Sequence, residues 1–256
     1  YSEYDGDHFG ETIWSQNSGD IEFTDLFYNG NGLKKDFSNF IKSVFQISSR
    51  FSIYTDLQLR EINYRTDGST SNIPELKLDK KYSFFNPKFG LNFKLNNKNR
   101  VYFSAAKAFR EPTRSDYEND FNIKPEELLD YELGWSHSSN NMILNTNLYY
   151  MNYENQLVLT GALDDVGSPI RENSGKSYRA GVEIETAYKV SEKINLAGNV
   201  SFSENKNIDY VSRFDGELIN LGDTDISYSP SFISSLALNY SPNSKLDLSL
   251  LNKHVG

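Results

Sequence analysis

Two kinds of connection alternate along this chain, and their unequal lengths limit what it can fold into. Short polar turns fall at Ser48–Ser49, Asn96–Asn99, Ser138–Asn141, Ser191–Lys193 and Ser241–Ser244. Between successive short turns lie two strand-like runs joined by a much longer polar segment. A soluble β-sandwich places turn signals every ~8–12 residues and has no reason to sort its loops by length. A transmembrane β-barrel does sort them, with tight turns at one membrane face and long loops at the other.

The runs themselves alternate. Phe85, Pro87, Phe89, Leu91, Phe93 and Leu95 interleave with Asn86, Lys88, Gly90, Asn92 and Lys94. Phe51, Ile53, Thr55, Leu57 and Leu59 interleave with Ser52, Tyr54, Asp56, Gln58 and Arg60, and Tyr178 to Tyr188 repeats the split. Period two marks a strand with unlike faces. Many runs reach ten residues or more, as crossing a bilayer at a tilt requires. Asp56 with Arg60, and Glu183 with Glu185, put charges in series on one face, which suits a wet lumen. The expected fold is all-β, an antiparallel transmembrane barrel with about ten strands present. They are placed at roughly 36–47, 51–64, 82–95, 100–109, 129–138, 142–159, 177–190, 194–205, 230–240 and 245–255. Tyr149, Tyr150, Tyr153, Tyr82 and Phe84 are expected in an aromatic belt near the long loops, and Phe51, Tyr188 and Tyr240 in one near the short turns.

Composition narrows the field. Hydrophobic residues make up 38% of the 256 and mean hydropathy is −0.60, so a transmembrane helix is not expected. Barrel strands escape that test because their hydropathy averages out. The absence of cysteine removes disulfides and thiolate metal sites. A net charge of −9 argues against nucleic acid as partner. The chain opens in polar sequence without a signal peptide, and is expected to be part of a longer protein.

The long loops run roughly over 14–32, 65–81, 110–128, 160–176 and 206–229, and loops of this length are usually functional or disordered. Two are acidic: 110–128 carries Glu111, Asp116, Glu118, Asp120, Glu126 and Glu127, and 206–229 carries Asp209, Asp215, Glu217, Asp223 and Asp225. Such a rim steers cationic or neutral ligands, or simply keeps the loops solvated. Asp5, Asp7 and His8 could offer metal ligands, as could Asp164 and Asp165, but no metal is assigned. Arg110, Arg114, Arg171 and Arg179 could meet an anion in the mouth, or pair with lumenal carboxylates such as Glu183. Pro112 cannot donate to a ladder, so Arg110–Thr113 is expected to shape the exit from strand to loop. His8, His137 and His254 are not expected to converge. The sequence holds no glycine-rich phosphate loop, and no catalytic Ser/His/acid set can be argued from spacing.

One segment carries a resemblance. Phe109-Arg-Glu-Pro-Thr-Arg-Ser-Asp-Tyr117, then Lys124-Pro-Glu, then Asp130-Tyr-Glu-Leu-Gly134 resembles the carboxy-terminal barrel of TonB-dependent outer-membrane receptors. Asn147 to Leu159 and Ser177-Tyr-Arg-Ala-Gly-Val-Glu-Ile-Glu185 continue the family's order of motifs, and Tyr4 to Gly10 and Ser241 to Gly256 resemble receptors of the Bacteroidetes type. The resemblance covers nearly the whole chain.

The resemblance implies a bacterial outer-membrane receptor whose barrel of about 22 strands is closed by an amino-terminal plug. Residues 1–256 would be part of that barrel domain, with the plug and final strands outside it. It implies active uptake of a scarce nutrient such as a ferric siderophore or other metal chelate, haem or cobalamin, with TonB pulling on the plug. It implies no enzymatic activity and no cofactor. The partners would be an extracellular small molecule, the lipid of the outer membrane, and TonB through the plug. Ligand contacts are expected from loop residues Arg114, Tyr117, Arg171, Tyr210 and Arg213. The residues alone leave open a passive porin or adhesin barrel, and a surface β-protein that binds carbohydrate.

Overall fold

The computed structural model describes residues 1–14, 16, 26–70, 73–163, 167–214 and 217–256, with the side chains of 213 and 214 excepted. Asp164, Asp165 and Asp215 lie outside the described residues. The strands are β1 (Ser2–Glu11), β2 (Leu26–Gln46), β3 (Phe51–Gly68), β4 (Leu76–Lys94) and β5 (Asn99–Arg110), then helix α1 (Arg114–Asn119), β6 (Glu126–Ser138) and β7 (Met142–Glu154). There follow β8 (Leu157–Leu163), β9 (Pro169–Asn173), β10 (Lys176–Lys189), β11 (Ile194–Ile208), β12 (Val211–Phe214), β13 (Glu217–Asn220), β14 (Thr224–Asp225), β15 (Phe232–Asn243) and β16 (Leu246–Val255). One antiparallel sheet takes them in the order β1-β2-β3-β4-β5-β6-β7-β10-β11-β15-β16, with β14 added to β11. The pairs β8–β9 and β12–β13 are separate hairpins on the long loops.

Every long strand of the expected set is present, and the differences have local causes. β1 was not expected, because Asp5, Gly6, Asp7 and Gly10 disfavour strand by propensity; pairing along the whole of β1 with β2 overrides them. β2 begins at Leu26, inside the segment expected to be loop. The expected strand 142–159 is two strands, broken at Asn155, whose φ of 54° ends the ladder.

On β3 and β4 the two faces exchange character at one level. Along β3 the outward side chains are Phe51, Ile53, Thr55, Leu57 and Leu59, then Glu61, Asn63, Arg65 and Asp67. Along β4 they are Phe93, Leu91, Phe89, Pro87 and Phe85, then Ser83, Lys81, Asp79 and Lys77. The inward side chains change the opposite way, from Asp56, Gln58 and Arg60 to Ile62, Tyr64 and Thr66, and from Lys88 and Asn86 to Phe84, Tyr82, Leu78 and Leu76, with Lys80 among them laid over the Tyr117 ring. Below the crossing, Leu57 and Leu59 are half exposed. Above it Ile62 is 1% exposed and Leu76 1%. The lower part is inside out, as a wall in lipid must be, and the upper part is packed as in water. The outward apolar band of nine residues in each strand matches the ~9–11 that span a bilayer. Strands of 18 and 19 residues therefore project well beyond it.

The aromatic belts follow parity. Tyr150 faces outward and stacks on Tyr178 with ring centroids 6.1 Å apart, near the long loops. Phe51, Tyr188 and Tyr240 face outward near the short turns. Tyr149, Tyr153, Tyr82 and Phe84 do not join a belt: each falls on the inward face, one residue out of phase with its outward neighbours. Tyr102 and Tyr149 instead lie over Gly134 and Gly181, their direct cross-strand partners. A side chain at Gly134 would collide with the Tyr102 ring.

Pro87 decides how the mouth is built. The β4–β5 ladder runs from Lys94 opposite Arg100 to Lys88 opposite Ala106, and stops at the proline, which has no N–H to give. Asn86 Oδ1 accepts from the Phe109 N–H at 3.2 Å in place of a ladder bond. The outer end of β5 stays paired with β6 to Arg110 opposite Glu126 but leaves β4. The loop after β5 is thereby released toward the lumen.

The face exchange predicts a paired outcome. In the membrane-inserted protein Leu57→Lys should lower unfolding stability by about 2–4 kcal/mol, while Gln58→Lys changes it by less than about 0.5 kcal/mol. Above the crossing the order by parity reverses: Ile62→Lys is destabilising and Asn63→Lys is not. Urea unfolding in lipid vesicles measures all four.

Candidate functional site

The loop released by Pro87 is held against the inner wall by one carboxylate. Glu111 Oε2 accepts from Arg60 Nη1 at 2.9 Å, and Glu111 Oε1 accepts from Arg60 Nη2 at 3.0 Å and from Lys34 Nζ at 2.7 Å. Arg60 Nε also donates to Asp36 Oδ2 at 3.0 Å. Lys34 and Asp36 on β2 and Arg60 on β3 share the inward face. Burial opposes the Glu111 charge, but the hydrogen bonds from Lys34 and Arg60 outweigh it and hold the carboxyl below its usual range. The expected role of Arg110–Thr113 in shaping the strand exit therefore acquires a specific anchor, a bidentate arginine clamp.

Behind the anchor the chain forms one helical turn and a small core. The Thr113 N–H and Oγ1 both donate to Asp116 Oδ2, at 2.7 and 2.8 Å, closing the start of α1. Tyr117 is 0% exposed, among Leu76, Leu78, Ile123 and Leu157. Its hydroxyl meets that of Tyr82, and burial first, then this contact, raises its pKa far above the ordinary tyrosine value.

Three consecutive residues of β9 tie the long loops together. Arg171 pairs with the buried Asp116 of α1, at 3.2 Å. Glu172 Oε1 accepts from the Tyr210 hydroxyl and from Ser212 Oγ. Asn173 Oδ1 accepts from the Lys124 N–H at 2.8 Å, and its Nδ2 donates to Lys124 O and Asn155 O. Tyr210 packs with Val158 and Ile226, and burial raises its hydroxyl pKa, reinforced by Glu172.

The five residues expected to touch ligand are thus placed differently. Tyr117 and Tyr210 are withdrawn from solvent, each with its hydroxyl engaged, and brace the loops from behind. Arg114 pairs with Glu118 at 2.9 Å and Arg171 with Asp116, both partly exposed at the mouth. The backbone of Arg213 lies in β12 opposite Leu218, and its side chain is outside the described residues. Arg110 pairs with Glu126 at 3.1 Å. Arg179 does not pair with Glu183: its Nη1 donates to Ser229 Oγ at 2.8 Å. Asp5 and Asp7 fall on one face of β1, both accepting from Asn31 Nδ2, and His8 falls on the other beside Tyr4. Among the described residues no group of three His, Asp or Glu could hold a metal. Lys34, Asp36, Glu172 and Asn173 were not singled out from sequence. Lys34 and Asp36 sit where expected loop passes into strand, and nothing local marks the polar residues of β9.

Comparison with known proteins agrees with this architecture. The sequence model described as "TonB dependent receptor-like, beta-barrel" matches residues 1–254. The chain belongs to the TonB-dependent receptor β-barrel family. No curated protein sequence matches. Among solved structures, the ferric-catecholate import receptor Fiu of E. coli K12 superposes with a TM-score of 0.70 at 16% identity, over 99% of this chain and 40% of that one. The siderophore receptor PiuA of Acinetobacter baumannii gives 0.72 at 15%, over 90% and 34%. The ferric yersiniabactin uptake receptor FyuA of Yersinia pestis gives 0.65 at 17%, over 90% and 36%. At these identities the likeness is one of fold, and this receptor barrel chain spans well under half of each.

The Glu111 clamp gives a pH-dependent expectation. A carboxyl whose folded value is depressed contributes stability above its unfolded pKa and loses it as pH falls through the folded value. Protection of the Tyr117 amide, measured against its intrinsic exchange rate at each pH, should be high at neutral pH and fall below about pH 4. In Glu111→Gln that protection should already be low at neutral pH. Equal protection in both proteins across that range would remove Glu111 as the anchor.

Proposed function

We propose that this chain forms part of the wall and mouth of an outer-membrane receptor that takes up a scarce nutrient by TonB-driven transport. The observation that carries the reading is the inverted wall: a polar inward face backed by an apolar band of membrane height, in a chain matched by the receptor barrel family over residues 1–254. Receptors of this family are transporters and not enzymes. The open edges within the apolar band, the part of β2 from 37 to 46 that β1 does not reach and β16, need partners in lipid, since bare backbone groups there are costly; further strands of a longer protein would supply them. A plug inside the completed barrel would face the lumen and meet TonB.

The ligand we propose is a ferric siderophore or another metal chelate, with haem and cobalamin as less favoured members of the same uptake class. Support comes from similar structures whose titles name ferric-catecholate and ferric yersiniabactin uptake. Contact would fall on the partly exposed side of the mouth, at Arg114, Arg171 and the β12 segment carrying Arg213. Tyr117 and Tyr210 would act by holding that surface in place.

Deletion of the gene should abolish energy-dependent accumulation of one class of radiolabelled chelate, and the full-length gene should restore it only in a strain with intact TonB. Accumulation independent of TonB would favour a passive porin and sink the proposal. Recovery of the protein from cells without detergent would exclude the membrane wall altogether.

A further inference from the structure

Opposite β11 the ladder is interrupted. Lys206 pairs with Asp225 and Phe202 with Phe232, so residues 226–231 face only 203–205. An outsized bulge of this kind re-aims a side chain. Its flanks are fixed. The Ile226 N–H donates to Asn205 O at 3.1 Å, the Ser203 N–H to Ser231 O at 2.9 Å, and Ser203 Oγ to Pro230 O at 3.0 Å. At the crest Tyr228 has φ 56° and is 89% exposed. The other described non-glycine residues with positive φ are Asn155 and Asp209, types that tolerate it. A bulky tyrosine does not, and with its ring in solvent it gains no packing to offset the strain. Fold stability therefore gives no reason for this residue at this place.

The charge beneath it is equally unusual. Among the arginine side chains described at the mouth, Arg110, Arg114 and Arg171 are each neutralised by a carboxylate. Among the described residues Arg179 has no ion-pair partner, and its one hydrogen bond goes to Ser229, the neighbour of Tyr228. Arg179 and Tyr228 line one cavity of about 310 Å³ with Tyr149, Met151, Glu132 and Glu183. The two carboxylates lie deeper. Glu183 is four residues further along β10, and Glu132 is two strands across and two residues lower. Neither of them, nor Asp130 on the level of Arg179 in β6, forms an ion pair with the guanidinium.

We infer that Arg179 and Tyr228 receive the ligand at the mouth and select for an anion that carries a planar ring. This rests on the uptake reading and sharpens it. The guanidinium supplies an unpaired charge to an acidic group, and the exposed phenol ring supplies a stacking face held in place by the pinned bulge. A neutral chelate would leave the first unused, and a chelate without rings the second.

Calorimetric titration of the purified full-length receptor with three probes tests this: ferric catecholate, which is anionic and aromatic, ferric citrate, which is anionic only, and a neutral ferric hydroxamate. The wild type should bind the catecholate most tightly. Arg179→Gln should weaken both anionic probes about tenfold and leave the hydroxamate unchanged. Tyr228→Gly should weaken the catecholate alone, by about tenfold, without lowering the melting temperature, because glycine accepts the backbone of the bulge. A wild type with no preference for the catecholate overturns the inference, as do variants that bind all three probes like wild type or lose all three equally. Absence of TonB-dependent accumulation in wild-type cells would strike the uptake reading instead, since the present test is read from equilibrium binding.

Discussion

Everything in this structure depends on the need to satisfy the backbone inside hydrocarbon. A bare N–H or C=O costs several kcal/mol in lipid, so strands can cross only as members of an unbroken ladder. That need explains why β2, β3 and β4 stay paired without a break across the apolar band and why the short turns hold neighbours in strict antiparallel register. With the ladder fixed, parity follows, and every side chain is committed to lipid or lumen. The exchange of faces at Leu59/Glu61 and at Phe85/Ser83 marks where the hydrocarbon ends.

The mouth is what the chain builds once that demand is relaxed. Pro87 is an otherwise costly residue for a central strand, yet it sits near the outer edge of the apolar band, where ladder bonds begin to be dispensable. By ending the β4–β5 ladder it frees the segment after Arg110 to turn inward. There the two rules of packing meet within one short segment: Glu111 seeks the charges of the wall at Arg60 and Lys34, and Tyr117 seeks the apolar surface that appears above the exchange. β9 then ties α1, the Lys124 turn and the β12 loop into one body through Arg171, Glu172 and Asn173.

The wall was legible in the sequence because period two and loop length are local signals. Leu57 and Gln58 can be assigned to opposite faces without any knowledge of their neighbours. Tyr150 was placed correctly near the long loops, but Tyr149, Tyr153, Tyr82 and Phe84 were not separated from it, because height along a strand was read without parity. The mouth was much less legible. Arg114, Arg171, Tyr117 and Tyr210 are loop residues by sequence, yet Arg114 meets Glu118 only because a helical turn forms there, Tyr117 meets Tyr82 of β4, and the partners Asp116 of Arg171 and Glu172 of Tyr210 depend on how three separate loops fold over one another. Tyr228 carries no sequence signal at all, since its interest lies in a backbone angle and in an arginine 49 residues earlier.

On β3 and β4 the two faces exchange environments at a single level. These 256 residues contain no cysteine, and single cysteines carrying a nitroxide can be placed at each position from 53 to 67 on β3 in a full-length protein cleared of any other cysteine, in lipid bilayers. Collision with oxygen, which concentrates in lipid, and with a water-soluble nickel chelate then reports each site's surroundings. The account predicts high oxygen and low nickel accessibility at 53, 55, 57 and 59, and a switch to nickel at 61, 63, 65 and 67, with 62 and 66 shielded from both. Oxygen accessibility that continued at odd positions through 67, or nickel accessibility at 55 and 57, would contradict it.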